Sequence, residues 1–280
     1  MDVAGRLFVV ATPIGNRGDI APRAVAVLRA VDWVAAEDTR HSGRLLQGLG
    51  IQARLLSLHE HNEARRVERV LGLLRSGKGV ALVSDAGTPL ISDPGYRLVH
   101  AVRAAGHPVV PVPGPSALTA ALSVAGLPTD RFAFEGFLPP RSAARRARLE
   151  GLRDDPRTLV FYESPRRLPD TLRDLVAVFG GRRPAALARE LTKLHEEVVS
   201  LPLAELPAWL AARPGRQKGE FVVLVGGAPP VAEGELGAEE RRVHAILARA
   251  LPPSRAAALA AEITGRPRRL FYGTGGEPGA

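Results

Sequence analysis

Two Ser-Asp pairs stand eight residues apart in "GVALVSDAGTPLISDPG", residues 79–95: Ser84-Asp85 and Ser92-Asp93. A carboxylate that follows an apolar run can accept hydrogen bonds from an ammonium or a ribose diol. Gly87 lets a ligand approach where a Cβ would stand in the way. Asp, Ser and Pro are also the residues of turns and helix caps. Asp93, just ahead of Pro94 and of a helical pattern at 96–105, reads as a cap. Asp85, with Ala86 and Gly87, reads as a ligand contact.

Other chemistry is weaker. No Gly-x-Gly-x-x-Gly follows the first apolar run, and Gly77-Lys78 precedes a strand pattern rather than opening a helix, so dinucleotide and Walker-type phosphate loops have little support. In "HEHNE" (59–63), His59 and His61 beside Glu60 and Glu63 supply metal-ligand types. No third ligand stands at an established spacing, a polar loop accounts for the segment, and no metal is expected. The absence of cysteine excludes disulfides and thiolate metal sites and fits the cytoplasm.

The elements that must position these residues follow from periodicity. Short β-branched runs at 7–11, Trp33–Ala36, 80–84 and Val109–Val112 alternate with helical patterns at Pro22–Ala30, Glu63–Arg75 and 96–105. That alternation predicts an α/β fold with a largely parallel sheet, whose ligands sit beyond the strands' carboxyl ends. "PGPSA" (113–117) reads as a hinge before a helix opening at Ser116. Further strands are expected at 132–135, 159–162, 186–189 and Phe221–Val225, with helices at 143–152 and 166–179. After the Gly/Pro/acidic stretch 226–237 the composition turns to Ala, Leu and Arg. The expected pieces are an N-terminal α/β domain (1–112), a second α/β domain (113–226) and a small helical extension (238–275). In that extension Ser254 reads as a helix cap and Gly265 as a helix stop.

The chain has 280 residues, 45% of them apolar, and a net charge of +9 carried mostly by arginine. No apolar run spans a membrane and the first residues lack a signal-peptide pattern. Arginine forks match phosphate oxygens, so a polyanionic partner is one reading; arginine-rich codon usage is the other.

The segments "ATPIGN", "EDTR", "HEHNE", "VSDAGTPLISDPG", "VPGPSA", "EGFLP", "FYESPRR" and "RELTK", in this order and spacing, resemble the tetrapyrrole-methylase superfamily. More narrowly, they are similar to its ribosomal branch, the cytidine 2′-O-methyltransferases of 16S rRNA. The resemblance runs from about residue 7 to 225, more weakly into the tail. It implies two α/β domains of tetrapyrrole-methylase type, with S-adenosylmethionine in the cleft between them and PGPSA crossing the hinge. It further implies methylation of a ribose in the decoding region of the 30S subunit, a helix-turn-helix-like extension, a homodimer and no membrane. By motif position the cofactor pocket would draw on Pro13, Ser84, Asp85, Ala86, Gly87, Ile91, Ser116 and Ala117, with Tyr162 and Ala188 added.

Methylation of a ribose hydroxyl needs close in-line positioning and a group to take the proton. The candidate bases are Glu163, Glu190, Lys193 and the 59–63 cluster; Lys193 qualifies only if its pKa is depressed. A salt-bridged strand end explains Glu190 and Lys193 as well. The stretch 138–157 carries six arginines against three acids. If helical from 143, Arg141, Arg145 and Arg148 share one side, a row suited to phosphates, with Arg146 beside them. Pairs such as Arg146 with Glu150 on a solvated face are the plainer account. Arg268 and Arg269, with Arg266, would give the extension a basic tip; packing of that extension is the alternative. The few aromatics near these motifs are Phe137, Phe161 and Tyr162. Rival readings are a porphyrinoid methyltransferase, a diphthine synthase, a metal-dependent phosphohydrolase using Asp38, Asp85 and Asp93, and a non-catalytic ribosome binder.

Overall fold

Successive side chains of a strand point to opposite faces, and the first sheet uses both faces. The computed structural model describes residues 2–59, 63–230, 232 and 234–272. Strands β1 (Leu7–Val10), β2 (Trp33–Ala36), β3 (Arg54–Ser57), β4 (Val80–Val83) and β5 (Val109–Val112) form a five-stranded sheet in the order β3-β2-β4-β1-β5. Every pairing in it is parallel. Phe8, Val10, Val34, Ala36, Ala81 and Val83 point to one face, which helices α1 (Pro22–Ala30) and α2 (Thr39–Gly48) cover through Val27, Leu28 and Leu46. Leu7, Ala35, Val80 and Leu82 point to the other, covered by α3 (Glu63–Arg75) and α4 (Tyr96–Ala104) through Val70, Leu74, Leu98 and Val102. Helices on both sides explain why β4 reads as an unbroken apolar run: all four residues are buried.

The second sheet departs from expectation. Strands β6 (Phe132–Phe137), β7 (Thr158–Glu163), β8 (Pro184–Arg189), β9 (Glu197–Pro202) and β10 (Phe221–Val225) take the order β6-β7-β10-β8-β9. Only β6 and β7 pair in parallel; β10 runs antiparallel to β7 and β8, and β9 antiparallel to β8. The largely parallel arrangement therefore holds for the first sheet alone. Helix α5 (Ala117–Val124) packs Leu118, Ala121 and Leu122 on one face of the second sheet, where Ile14 from the first half joins the same core. Helices α6 (Ser142–Glu150), α7 (Leu168–Phe179) and α8 (Leu206–Ala211) complete this half.

By contacts the chain divides into two units: Met1–Glu150 with Arg157–Gly226, which holds both sheets, and Gly151–Pro156 with Gly227–Ala280. In the second unit α9 (Ala238–Ala248), α10 (Pro253–Thr264) and a 3-10 turn (Arg268–Phe271) share a core of Leu236, Ala257, Ala260 and Phe271. Gly265 ends α10 in the left-handed conformation that glycine accepts without cost, at φ +69°. Ser254 is not the cap: the helix starts one residue earlier, at Pro253 behind Pro252. Among the described residues no helix is long and apolar enough to cross a membrane.

Candidate active site

Strand β1 ends where the backbone of Thr12 pairs with Gly87 in a two-way bridge, N to O distances being 2.9 and 3.1 Å. The Thr12 hydroxyl lies 3.2 Å from Ser84 O, and Ser84 Oγ lies 3.1 Å from Gly87 O. Gly87 has φ +87°, and an added Cβ would stand 3.2 Å from Ile14 Cγ2. This corner therefore needs glycine both for its backbone and for its space. Across from it Thr88 donates to Pro115 O at 3.0 Å, which ties the PGPSA segment to the same corner.

These contacts frame a cavity of about 410 Å³ between the two halves of the first unit. Asp85, Ala86, Gly87, Ile91, Ser116, Ala117, Tyr162 and Ala188 line it. Pro13 and Ser84 do not; Ser84 is buried behind the wall, shaping the turn. The cavity also takes in Ile14, Glu37, Asp93, Phe137 and Leu191, together with 219–222. That last stretch escaped the sequence rule because β10 enters antiparallel, so its beginning, not its end, meets the ends of β7 and β8.

Asp93 is the main correction. Helix α4 begins behind Gly95 with no side-chain cap, and Asp93 lines the cavity instead. Burial, followed by the nearby Glu37 and Asp85 carboxylates, pushes its pKa up to about 6, against a hydrogen bond from Ser84. Tyr162 is also pushed up, by burial first and then by the Asp93 charge. Asp85 meets the end of β2: it accepts the Asp38 N–H at 3.2 Å, while Asp38 caps α2 through Arg40 N and His41 N.

The three base candidates separate. Glu163 lines the cavity, but its Oε1 accepts Ser164 N at 2.7 Å and its Oε2 accepts the Thr171 hydroxyl at 2.7 Å, with Arg167 Nε 3.3 Å away. It braces the FYES turn against α7. Lys193 Nζ lies 2.9 Å from Glu190 Oε1 and 3.0 Å from Glu220 Oε2. Burial opposes its charge, yet these two carboxylates hold its pKa above the ordinary lysine value, so the depression that a lysine base requires is not met. Burial likewise works against the charge on Glu190, but Lys193 and the Glu220 N–H hold its pKa below the usual range. Both residues belong to a clamp. Gly15 and Gly219 leave room for it: a Cβ on Gly15 would fall 2.4 Å from Lys193 Cγ, and one on Gly219 2.5 Å from Glu190 Cγ. Of the 59–63 cluster, Glu60, His61 and Asn62 lie outside the described residues, and with them the His59-x-His61 metal reading. Glu63 is buried and accepts Leu98 N at 3.3 Å. Among the described residues no group of three or more His, Asp or Glu is placed to hold a metal.

The arginine row is broken. Arg145 is 3% exposed and pairs with Asp174 at 2.7 Å, because α6 packs on α7 with that buried carboxylate between them. Arg145 is therefore unavailable to phosphate. Arg146, although half-exposed, also reaches Asp174, at 2.6 Å, and Arg148 pairs with Glu135. Arg141 is exposed. In the second unit Arg268 and Arg269 are exposed; Arg268 donates to Ser254 and lies over the Tyr272 ring.

Residues 6–207 match the family Tetrapyrrole (Corrin/Porphyrin) Methylases, and 234–275 match the RsmI C-terminal HTH domain. A "Ribosomal RNA small subunit methyltransferase I" of Pseudomonas aeruginosa is 58% identical over 270 residues, covering 96% of each chain. Among solved structures, the methyltransferase CobJ superposes with a TM-score of 0.60 at 22% identity, over 81% of this chain and 97% of that one. The uroporphyrin-III C-methyl transferase of Thermus thermophilus, complexed with S-adenyl homocysteine, superposes with a TM-score of 0.54 at 20% identity, over 78% and 96%.

Proposed function

Because the chain belongs to the tetrapyrrole methylases and, within them, to the family of ribosomal RNA small subunit methyltransferase I, we propose that it methylates the 2′-hydroxyl of a decoding-region cytidine in 16S rRNA, with S-adenosylmethionine as donor. The observation that carries this reading is the convergence of the SDAGTPLISDPG, PGPSA and FYES segments on one cavity. Its volume, about 410 Å³, lies in the range of small-molecule sites.

The lining fits such a donor. Gly87 permits close backbone approach, and Ile14, Ile91, Ala117, Ala188 and Val222 offer apolar wall to a flat ring and a thioether. Asp85 and its acidic neighbours suit an ammonium, a ribose diol and a positive sulfur. Bound there, S-adenosylmethionine supplies an electrophilic methyl on a sulfonium. The protein's own part is positioning: the Thr12–Gly87 bridge fixes one wall and the Lys193 clamp another. Phe137, half-exposed at the cavity and edge-on to Tyr162 at 5.8 Å between ring centres, offers a face to a base. Exposed arginines such as Arg141, Arg268 and Arg269 supply phosphate contacts. The same reading expects a cytoplasmic homodimer acting on the 30S subunit.

Isothermal titration with S-adenosylmethionine, then transfer of a tritiated methyl to 30S subunits and to free 16S rRNA, tests the proposal. Saturable binding and label at one alkali-resistant cytidine linkage is the expected result. Label on a base, on a tetrapyrrole instead of RNA, or nowhere overturns it.

A further inference from the structure

We infer that a second cavity, beside the first, is a phosphate site that grips the backbone of the RNA strand whose ribose is methylated; the assignment rests on the methyltransferase reading above. This cavity, of about 530 Å³, lies between the turn after β8 and the 3-10 turn Pro214–Gln217. Among the described residues its lining holds no apolar side chain, only charged residues, a histidine and glycines. Gly219 lines both cavities. Between them stands the clamp, in which Lys193 joins Glu190 on the second cavity to Glu220 on the first. A strand lying across the clamp places a ribose on one side and a phosphate on the other.

The site is organised by one buried cation. Arg189, the last residue of β8, is 7% exposed. Its guanidinium donates to three carbonyls, those of Lys218 and His195 at 2.8 Å and of Gly215 at 2.7 Å. Carbonyls satisfy its N–H groups without cancelling its charge. The carboxylate beside it, Glu197, is 3.5 Å away and is shared: Arg216 holds it at 3.1 Å and Arg213 stands at 3.9 Å. The Arg216 hydrogen bond, with the charges of Arg189 and Arg213, keeps Glu197 below the usual carboxylate range, so it stays ionised. Three guanidiniums to one carboxylate still leave positive charge in excess. The other acids of the lining are engaged, Glu190 by Lys193 and the Glu220 N–H, Glu196 by the Thr192 N–H.

Arg189 also sets where the free donors stand. The carbonyls it gathers belong to His195 and Lys218 themselves and to Gly215, just beyond Arg213. Lys218 has no ion-pair partner among the described residues, and Arg213 has the 3.9 Å contact alone. Both are exposed, as is His195. Arg216 differs: it is fixed on Glu197 and lies over the Trp209 ring at 3.8 Å, so it contributes charge but no free fork. Arg213 offers a phosphodiester its planar N–H fork, Lys218 a mobile ammonium and His195 a ring N–H. Phosphate oxygens only accept hydrogen bonds, which matches a rim that only donates.

The experiment measures filter binding of 16S rRNA to wild type, Arg213→Gln, Lys218→Gln and the double variant from about 50 to 300 mM salt, and titrates each with S-adenosylhomocysteine. Each single variant should bind RNA about three- to tenfold more weakly and flatten the slope of log affinity against log salt by about 0.7–1. The double variant should show both losses, and its kcat/KM for methyl transfer to RNA should fall with its affinity. S-adenosylhomocysteine should bind every variant within about twofold of wild type. Arg213→Lys should keep the slope. Arg103→Gln, an exposed charge in the last turn of α4, measures the effect of net charge alone. A double variant that differs from wild type no more than Arg103→Gln does overturns the assignment, and so does lost S-adenosylhomocysteine binding. Inorganic phosphate and cytidine monophosphate test a free ligand. If either raises the melting temperature of wild type but not of the double variant, while the RNA slope is unchanged, the occupant is a small phosphate and RNA is overturned. A wild type that binds neither S-adenosylhomocysteine nor RNA sinks the methyltransferase reading itself, whereas an active wild type beside variants of unaltered slope sinks this site alone.

Discussion

At the scale of single residues, two positions carry opposite demands. Gly87 must be small and left-handed. Gly87→Ala places a Cβ 3.2 Å from Ile14 Cγ2 at φ +87°, so a loss of about 1–2 kcal/mol in stability is expected from the backbone alone. Cofactor affinity should fall more steeply, because the Thr12–Gly87 bridge shapes the wall; urea unfolding and isothermal titration measure the two effects separately. Asp93 pays for its position in stability. Its pKa of about 6 lies above the ordinary 3.8, so the native state binds the proton more tightly than the unfolded chain. The stability this gives is complete below about pH 3.8 and is lost as the pH rises through about 6. One pKa unit is worth about 1.4 kcal/mol, and solvent screening at this half-buried site reduces the total. Asp93→Asn should therefore unfold about 1–2 kcal/mol later than wild type at pH 8, and no later near about pH 3.5, in urea titrations.

At the scale of elements, helix α6 decides what its arginines can do. Asp174 on α7 is buried, and although burial opposes its charge, Arg146, Ser142 and Arg145 hold its pKa below the usual range. A depressed carboxylate contributes stability above its ordinary pKa and loses it as pH falls through the folded value. Arg145→Ala removes one partner of a buried pair and should cost about 3 kcal/mol, the lower end for such a break because Arg146 remains; the acid-range rise in stability should shrink with it. Arg141→Ala should leave stability within about 0.5 kcal/mol and instead weaken RNA binding. A helix pattern read from sequence placed Arg141, Arg145 and Arg148 on one side. It could not say that this side meets α7, since a charged residue gives no sign of a buried carboxylate on another helix. The clamp formed by RELTK was similarly hidden: Glu190 and Thr192 take left-handed φ of 50° and 65°, and Gly15 and Gly219 make the room, relations between segments far apart in the chain.

At the scale of the whole molecule, the net charge of +9 makes salt the natural probe. RNA affinity should fall linearly with log salt, and Arg141→Ala, Arg268→Ala and Arg269→Ala should each flatten the slope by about one if they contact a phosphate. Arg145→Ala should leave the slope unchanged once folded protein is matched, since its guanidinium is already spent on Asp174. Filter binding of rRNA at several salt concentrations measures this.

By itself the sequence determined four of the first sheet's five strands and three of its four helices, leaving β3 and α2 unread, and it marked the Gly87 corner. Both signals are local: a period of two or 3.6 reports which sides are buried, and a Pro/Gly-bent turn after an apolar run reports a strand end. Only the tertiary structure decided the antiparallel entry of β10 that brings 219–222 to the cavity. It alone turned Asp93 from a cap into a cavity carboxylate and Arg145 from a surface cation into a buried one. The reason is the same in each case. The state of a charged side chain is set by what surrounds it in space, and those neighbours stand tens of residues away along the chain.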